Sequence, residues 1–224
     1  MNGFAHIIQG SDVWGGHCSV PRHRHALAYA ALVLAGGYEE SGTFGRYRVR
    51  AGQVLLHRRF DAHLDRFGRG GARILNLLLD EEPAFGLGHV RDPDTLARLA
   101  EKDAPAAAET LAAQLQPLPA PVADWPDQLA QELQQDPQLR LDEWAERHGL
   151  APATVSRGFG RVFATSPARY RAEARARCAL AAITRGGESL AGIASAAGFA
   201  DQAHMTRAIR ALTGRPPGCW LRSN

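Results

Sequence analysis

The chain has a single lysine, Lys102, and only three cysteines, Cys18, Cys178 and Cys219, among 224 residues. No two cysteines form a CxxC pair. An odd, sparse set excludes a disulfide-framed scaffold and implies a reduced compartment, with Cys178 expected as a small buried apolar residue. No apolar run reaches eighteen residues, and even Ala26 to Leu34 is soon broken by Gly36 and Gly37, so no membrane-spanning helix is expected. There is no signal-peptide pattern at Met1, and the expectation is a soluble, cytoplasmic protein. Hydrophobic residues make up 45% and charged residues 22%. That composition excludes disorder throughout and allows two modest cores.

The positive charge is unevenly placed. Net charge is +3, yet from Leu150 onward eleven arginines face only Glu173, Glu188 and Asp201, a surplus of eight, while the rest of the chain carries a deficit of five. A cationic segment of this kind is a footprint for phosphate.

Two similar figures occupy that segment. Ser189 to Ala197 reads as a helix stopped at Gly198, and a second helix begins near Asp201, with Met205, Ala208, Ile209 and Leu212 on its inward side. Gln202, Ala203, Thr206, Arg207 and Arg210 fall on the other side. Earlier, Leu141 to His148 ends at Gly149 and Pro152 opens a helix with Val155, Phe159, Val162 and Phe163 as its buried stripe. Its outward residues are Ala153, Ser156, Arg157, Gly160 and Arg161. Between the two, Ser166-Pro167 starts an arginine-rich helix reaching Arg185, about 28 Å long at 1.5 Å per residue. Such a rod can hold two reading helices about one DNA turn, roughly 34 Å, apart.

The ordered set Leu141-x-x-x-Ala145, Ser156-Arg157-x-Phe159, Ser166-Pro167-x-x-Tyr170, Ile193-Ala194, Gly198-Phe199-x-Asp201-Gln202, Arg207, Gly214 and Pro217 resembles the DNA-binding domain of AraC-type transcriptional regulators. The resemblance covers nearly half the chain. It implies base-facing positions at Ala153, Ser156 and Arg157 in the first motif and Gln202, Ala203, His204 and Arg207 in the second, with Arg161 beside the first. Ala151 stands where the family often has a capping serine, and Gly158 and Gly160 replace larger residues. These departures are expected to weaken the first reading helix by about 2 to 3 kcal/mol.

The first eighty residues read as all-β. Runs at Phe4 to Ile8, Tyr29 to Leu34, Arg46 to Arg50, Val54 to Leu56 and Arg73 to Leu79 are separated by expected turns at Gly36-Gly37, Gly42, Gly52 and Gly70-Gly71. Six of nine histidines precede Leu64: His6, His17, His23, His25, His57 and His63. His23 and His25 share one face of a strand by its period of two. Pro21 to His25, with Gly52 and His63, resembles the two motifs of the small cupin barrel that commonly precedes an AraC-type domain. The slot for a metal-binding glutamate falls at Tyr29 or Ala30, so no carboxylate is expected there, and Arg58 and Phe60 replace the expected proline and glycine. His23, His25 and His63 are candidate ligands of a divalent metal, zinc by imidazole preference, with His57 and Cys18 in reserve; the alternative is strand-edge or core histidines. Trp14, Tyr29, Tyr38 and Phe44 line a pocket or fill the core.

After Glu81, helices are expected from Asp92-Pro93 to Ala100 and from Ala104 to Leu115, either as a dimer contact or packed on their own barrel. Pro117, Pro119, Pro121 and Pro126 suggest a stiff linker, and Trp125 to Gln135 a further helix.

The expected fold is α+β: a cupin-like β-barrel over 1–80, a helical dimerisation segment and proline-rich linker over 81–120, and an all-α double helix-turn-helix domain over 121–224. The expected function is sequence-specific binding of double-stranded DNA, without enzyme chemistry, by a homodimer that senses a small molecule or metal. Two other classes remain: a cupin metalloenzyme with an appended helical domain, and a DNA-repair alkyl acceptor using Cys18.

Overall fold

The structure, a computed structural model, describes residues 9–43, 45–119, 124–136 and 138–221. The strand expected at Phe4 to Ile8, with His6, and also Phe44 and Pro121 lie outside the described residues. The chain divides into two compact units, Gly3–Ala123 and Asp124–Asn224.

In the first unit one antiparallel sheet holds β1 (Gly10–Trp14), β2 (Ser19–Arg24), β3 (Tyr29–Gly42), β4 (Gly45–Arg50), β5 (Gln53–His57), β6 (Ala62–Leu78), β7 (Leu87–His89) and β8 (Gln116–Pro117). β3 and β6 pair along their length, from Tyr29 opposite Leu78 to Ser41 opposite Leu64. Their other neighbours differ by half: β5 takes the start of β3 and β4 its end, while β2 takes the start of β6 and β1 its end. The sheet therefore folds over on itself, and Tyr29, Val33, Tyr38, Leu55, Phe67 and Ile74 meet in one inner core.

The turns expected at Gly36-Gly37 and Gly70-Gly71 are absent, because both pairs lie inside long strands. Register shifts bracket Gly36, which has φ 70°. A Cβ on Gly36 would stand 2.2 Å from the carbonyl oxygen of Gly71, and one on Gly71 2.2 Å from that of Trp14. These glycines are bulges where three backbones come too close for any side chain, and they let the sheet bend.

The outer face alternates with the inner one. Ala30, Leu32, Leu34, Leu75 and Leu77 are covered by α1 (Pro93–Ala100) and α2 (Ala104–Gln114) through Leu96, Ala107 and Leu111. Of the two readings of this helix pair, packing on its own sheet is what the structure shows. Asp92 and Asp103 cap the helices, accepting from the amides of Thr95 at 2.9 Å and Ala106 at 3.0 Å. Of the four prolines, Pro117 belongs to β8 and pairs with Gly88, and Pro126 lies in the first turn of the next helix.

The second unit is helical: α3 (Trp125–Gln135), α4 (Leu141–Arg147), α5 (Pro152–Phe163), α6 (Pro167–Arg185), α7 (Leu190–Ala196) and α8 (Gln202–Thr213), followed by a 3-10 turn at Pro217–Trp220. Leu129, Leu133, Trp144, Val155, Phe159, Phe163 and Tyr170 form its first core. Each such side chain removed from water contributes about 1.5 to 3 kcal/mol, which holds short helices that would not persist alone. Cys178 is exposed on α6, contrary to expectation, because Ala174, Ala179 and Ile183 take the buried stripe. Among the described residues no helix is long and apolar enough to cross a membrane.

Candidate nucleic-acid interface and histidine-lined cavity

The fold of the first sheet gathers histidines from three strands. His23 on β2 stands opposite His63 on β6, and His25 follows one residue past the end of β2. The Nε2 atoms of His23 and His25 are 3.1 Å apart, so at most one carries a proton toward the other. Burial holds the His63 imidazole well below its usual range, reinforced by His57, His23 and His25, and burial also lowers His23. Both are thereby kept neutral, the form that binds metal. Each of the three offers a ligand atom within 4.8 Å of the others. The donor set and its spacing fit an imidazole-preferring ion.

The slot at Tyr29 or Ala30 holds no carboxylate, but two carboxylates from elsewhere in the chain stand beside the histidines. Glu40, on the second half of β3, is buried with both carboxylate oxygens 3.0 Å from Nε2 of His57, and Asp65 brings Oδ2 to 3.9 Å from Nε2 of His63. Burial, with the Glu40 charge beside it, pushes the Asp65 carboxyl well above the usual range. Strand alternation from Tyr29, Ala31 and Val33 would aim Glu39 inward; the bulges around Gly36 switch the phase and aim Glu40 instead. The signal was the Gly36-Gly37 pair, read as a turn when it was a bulge. Cys18 is not in the cluster, and its thiol donates to the Gly15 carbonyl at 3.0 Å.

A cavity of about 170 Å³ opens on these groups, lined by His23, His25, His63 and also by Trp14, Tyr38 and Phe67. Trp14 stacks on Phe67 with ring centres 5.2 Å apart. Tyr29 and Tyr38 serve both uses foreseen for them, since they line the cavity and belong to the inner core.

In the second unit, two helix pairs share one turn chemistry. The Leu150 amide donates to the Ala145 carbonyl and the Phe199 amide to the Ala194 carbonyl, each at 2.9 Å, while Gly149 and Gly198 take positive φ at the same place in each turn. Val155, Phe159 and Phe163 on α5, and Met205, Ile209 and Leu212 on α8, are buried. Ala153, Ser156, Arg157 and Arg161 are exposed on α5, as are Gln202, Ala203, His204 and Arg207 on α8. A polar, cationic outer face on the second helix of each pair suits a major groove.

Residues 144–223 match the family described as a helix-turn-helix domain. This part of the chain is an AraC-type helix-turn-helix domain. A domain of this kind binds DNA and serves transcription regulation. Among solved structures, it is similar to the C-terminal domain of AraT, a response regulator from Geobacillus stearothermophilus, at 18% identity over 47% of this chain and 93% of that one, with a TM-score of 0.42. ToxT from Vibrio cholerae matches at 7% identity over 94% of this chain and 96% of that one, also with a TM-score of 0.42. KdgF from Halomonas sp. matches at 12% identity over 30% of this chain and 61% of that one, with a TM-score of 0.28. Likenesses this loose establish nothing further about this chain. No curated protein matches it in sequence.

Within the AraC-type domain the two reading helices differ in how they start. Asp201 caps α8, its Oδ1 accepting from the His204 amide at 2.6 Å, whereas Ala151 gives α5 no side-chain cap. Some arginines of the connecting helix bond to the rest of the domain. Arg171 donates to the Leu139 carbonyl at 2.8 Å, Arg177 donates to Oε1 of Gln134 at 3.3 Å, and Arg175 is half-buried. Arg171 and Arg177 are thus held by groups of the domain itself.

Proposed function

We propose that this chain is a one-component regulator in which the AraC-type domain reads double-stranded DNA and the folded sheet receives a small-molecule or metal effector. The reading residues are Ala153, Ser156, Arg157 and Arg161 on α5 and Gln202, Ala203, His204 and Arg207 on α8. The observation that carries this is the division of α5 and α8 into a buried apolar stripe and an exposed polar face, repeated in two helix pairs of one unit. Arg207 and Arg157 supply the fork geometry that a guanine edge accepts, and the surrounding arginine surplus neutralises phosphates. Binding, with no covalent step, is the whole mechanism.

The cavity of the first unit is the effector site. A divalent ion, zinc by imidazole preference, would be held there by His23, His25 and His63, leaving an open position for water or an effector atom. Occupancy would bias how two copies in a homodimer present their domains to paired half-sites, and the protein would act in the cytoplasm.

Selection of bound fragments from a random DNA library by the full chain tests the reading. Recovery of a recurrent motif, bound tightly at 150 mM salt, is expected. Recovery of unrelated fragments whose binding vanishes with salt would reduce the domain to a nonspecific phosphate binder.

A further inference from the structure

Behind the histidine trio lies a second and smaller void of about 10 Å³, the size of one water or one ion, lined by Glu40, His57 and His63 together with Thr43 and Asp61. Glu40, His57 and His63 are all buried, and each offers a ligand atom within 4.8 Å of the other two. We propose that Glu40, His57 and His63 form a second, inner site for a divalent cation of the kind that accepts mixed nitrogen and oxygen ligands, such as iron(II), manganese(II) or zinc(II).

Three observations carry this beyond mere proximity. Nε2 of His57 lies 3.0 Å from each Glu40 oxygen. Two atoms each about 2.0 to 2.2 Å from a shared ion stand roughly 3 Å apart, so the pair already has the spacing of one edge of a coordination polyhedron. The lining of the void also retains buried polar atoms that no protein group satisfies, Nδ1 of His63 and Oδ1 of Asp61. A cation or its water is the ordinary remedy for such leftovers. Finally, the backbone leaves space there. A Cβ on Gly42 would press within 3.1 Å of Oε1 of Glu40 and 3.3 Å of Cβ of His63, so the glycine keeps these two ligands where they are.

The donor set is what separates this site from the outer trio. Three neutral imidazoles favour zinc or copper, whereas two imidazoles with one carboxylate admit harder ions and leave positions open. The inner carboxylate also balances part of the ion's charge inside the sheet, where an uncompensated cation would be costly. The inference rests on the sensing half of the proposed function only through His63, which belongs to both sets.

Cobalt(II) is the probe, titrated into metal-stripped full-length chain and followed by visible absorption and by X-ray absorption at the cobalt edge. His25→Ala breaks the outer trio and leaves the inner set whole, so this variant should still bind cobalt, with two imidazoles and carboxylate oxygen around it. Glu40→Gln and His57→Gln in the same background should each weaken that binding at least tenfold, with cooperative melts showing that the chains remain folded. Loss of all cobalt from a folded His25→Ala chain, while the wild type still binds it, would overturn the inner site and leave the outer trio standing. If the His25→Ala chain does not fold, the wild-type spectrum decides: an all-imidazole shell overturns the inner site, and an oxygen-bearing shell whose loss follows Glu40→Gln supports it. A wild-type chain that takes up no cobalt overturns both metal sites without touching the DNA reading.

Discussion

A Cβ placed on Gly158 would stand 2.4 Å from Cζ2 and 2.7 Å from Cη2 of Trp125, so the indole of α3 lies directly against the backbone of the first reading helix. A Cβ on Gly160 would meet nothing closer than 3.9 Å. The two glycines look alike in the sequence, and their substitutions should have opposite signs. Gly160→Ala should stabilise by about 0.5 to 1 kcal/mol through helix propensity. Gly158→Ala should destabilise by about 1 to 3 kcal/mol by overpacking against Trp125. Thermal melts of the two variants check this, and equal gains from both would show that Trp125 yields freely.

Arg207→Ala should cost about 1 to 3 kcal/mol of DNA affinity and relax preference at one base position. Arg177→Ala should act differently. Because Arg177 is engaged with Gln134, its loss should lower the melting temperature and leave the salt slope of binding nearly unchanged. Binding titrations at several salt concentrations, beside melts, separate the two behaviours.

Asp201→Ala should destabilise α8 by about 1 kcal/mol, since it removes the acceptor of the His204 amide. Ala151→Ser should move α5 the other way by a similar amount if the new hydroxyl reaches the amide of Thr154 or its neighbour. Urea unfolding of both variants reads the difference, and no change on Asp201→Ala would mean that solvent caps the helix equally well.

In the metal-free chain, His63 gives the first unit an acid-sensitive term. Its folded-state affinity for protons is depressed by burial, so stability is fully present above about pH 6.5, where the unfolded imidazole is also neutral, and is lost as pH falls below that value. Asp65, raised by burial, has the opposite sign and loses stability as pH rises through its folded value. Comparing wild type with His63→Gln isolates the histidine. The variant should lose less stability between pH 7.5 and 5.5, by on the order of 1 kcal/mol. Identical pH profiles would show that His63 is more open to water than its burial implies.

How much of this was legible beforehand depended on the range of the interaction. The helices of the second unit could be read almost to the residue, because caps such as Ser166 and Asp201, stop signals such as Gly198, and a 3.6-residue stripe are all local features of one segment. The exposed positions of Ser156, Arg157 and Arg207 followed from the same period. In the first unit, His23 and His25 could be placed on one face for the same local reason.

Sequence alone thus determined the helix-turn-helix pairs, the side of each reading helix that faces out, and the strand character of the first unit. Tertiary structure alone decided that Gly36 and Gly71 are bulges and not turns, that the helix pair packs on its own sheet, that Gly158 makes room for Trp125, and that Glu40 joins His57 and His63. Each of these depends on residues far apart in the chain. One bulge reverses which residues of a strand point inward, and only the folded sheet shows where that reversal falls.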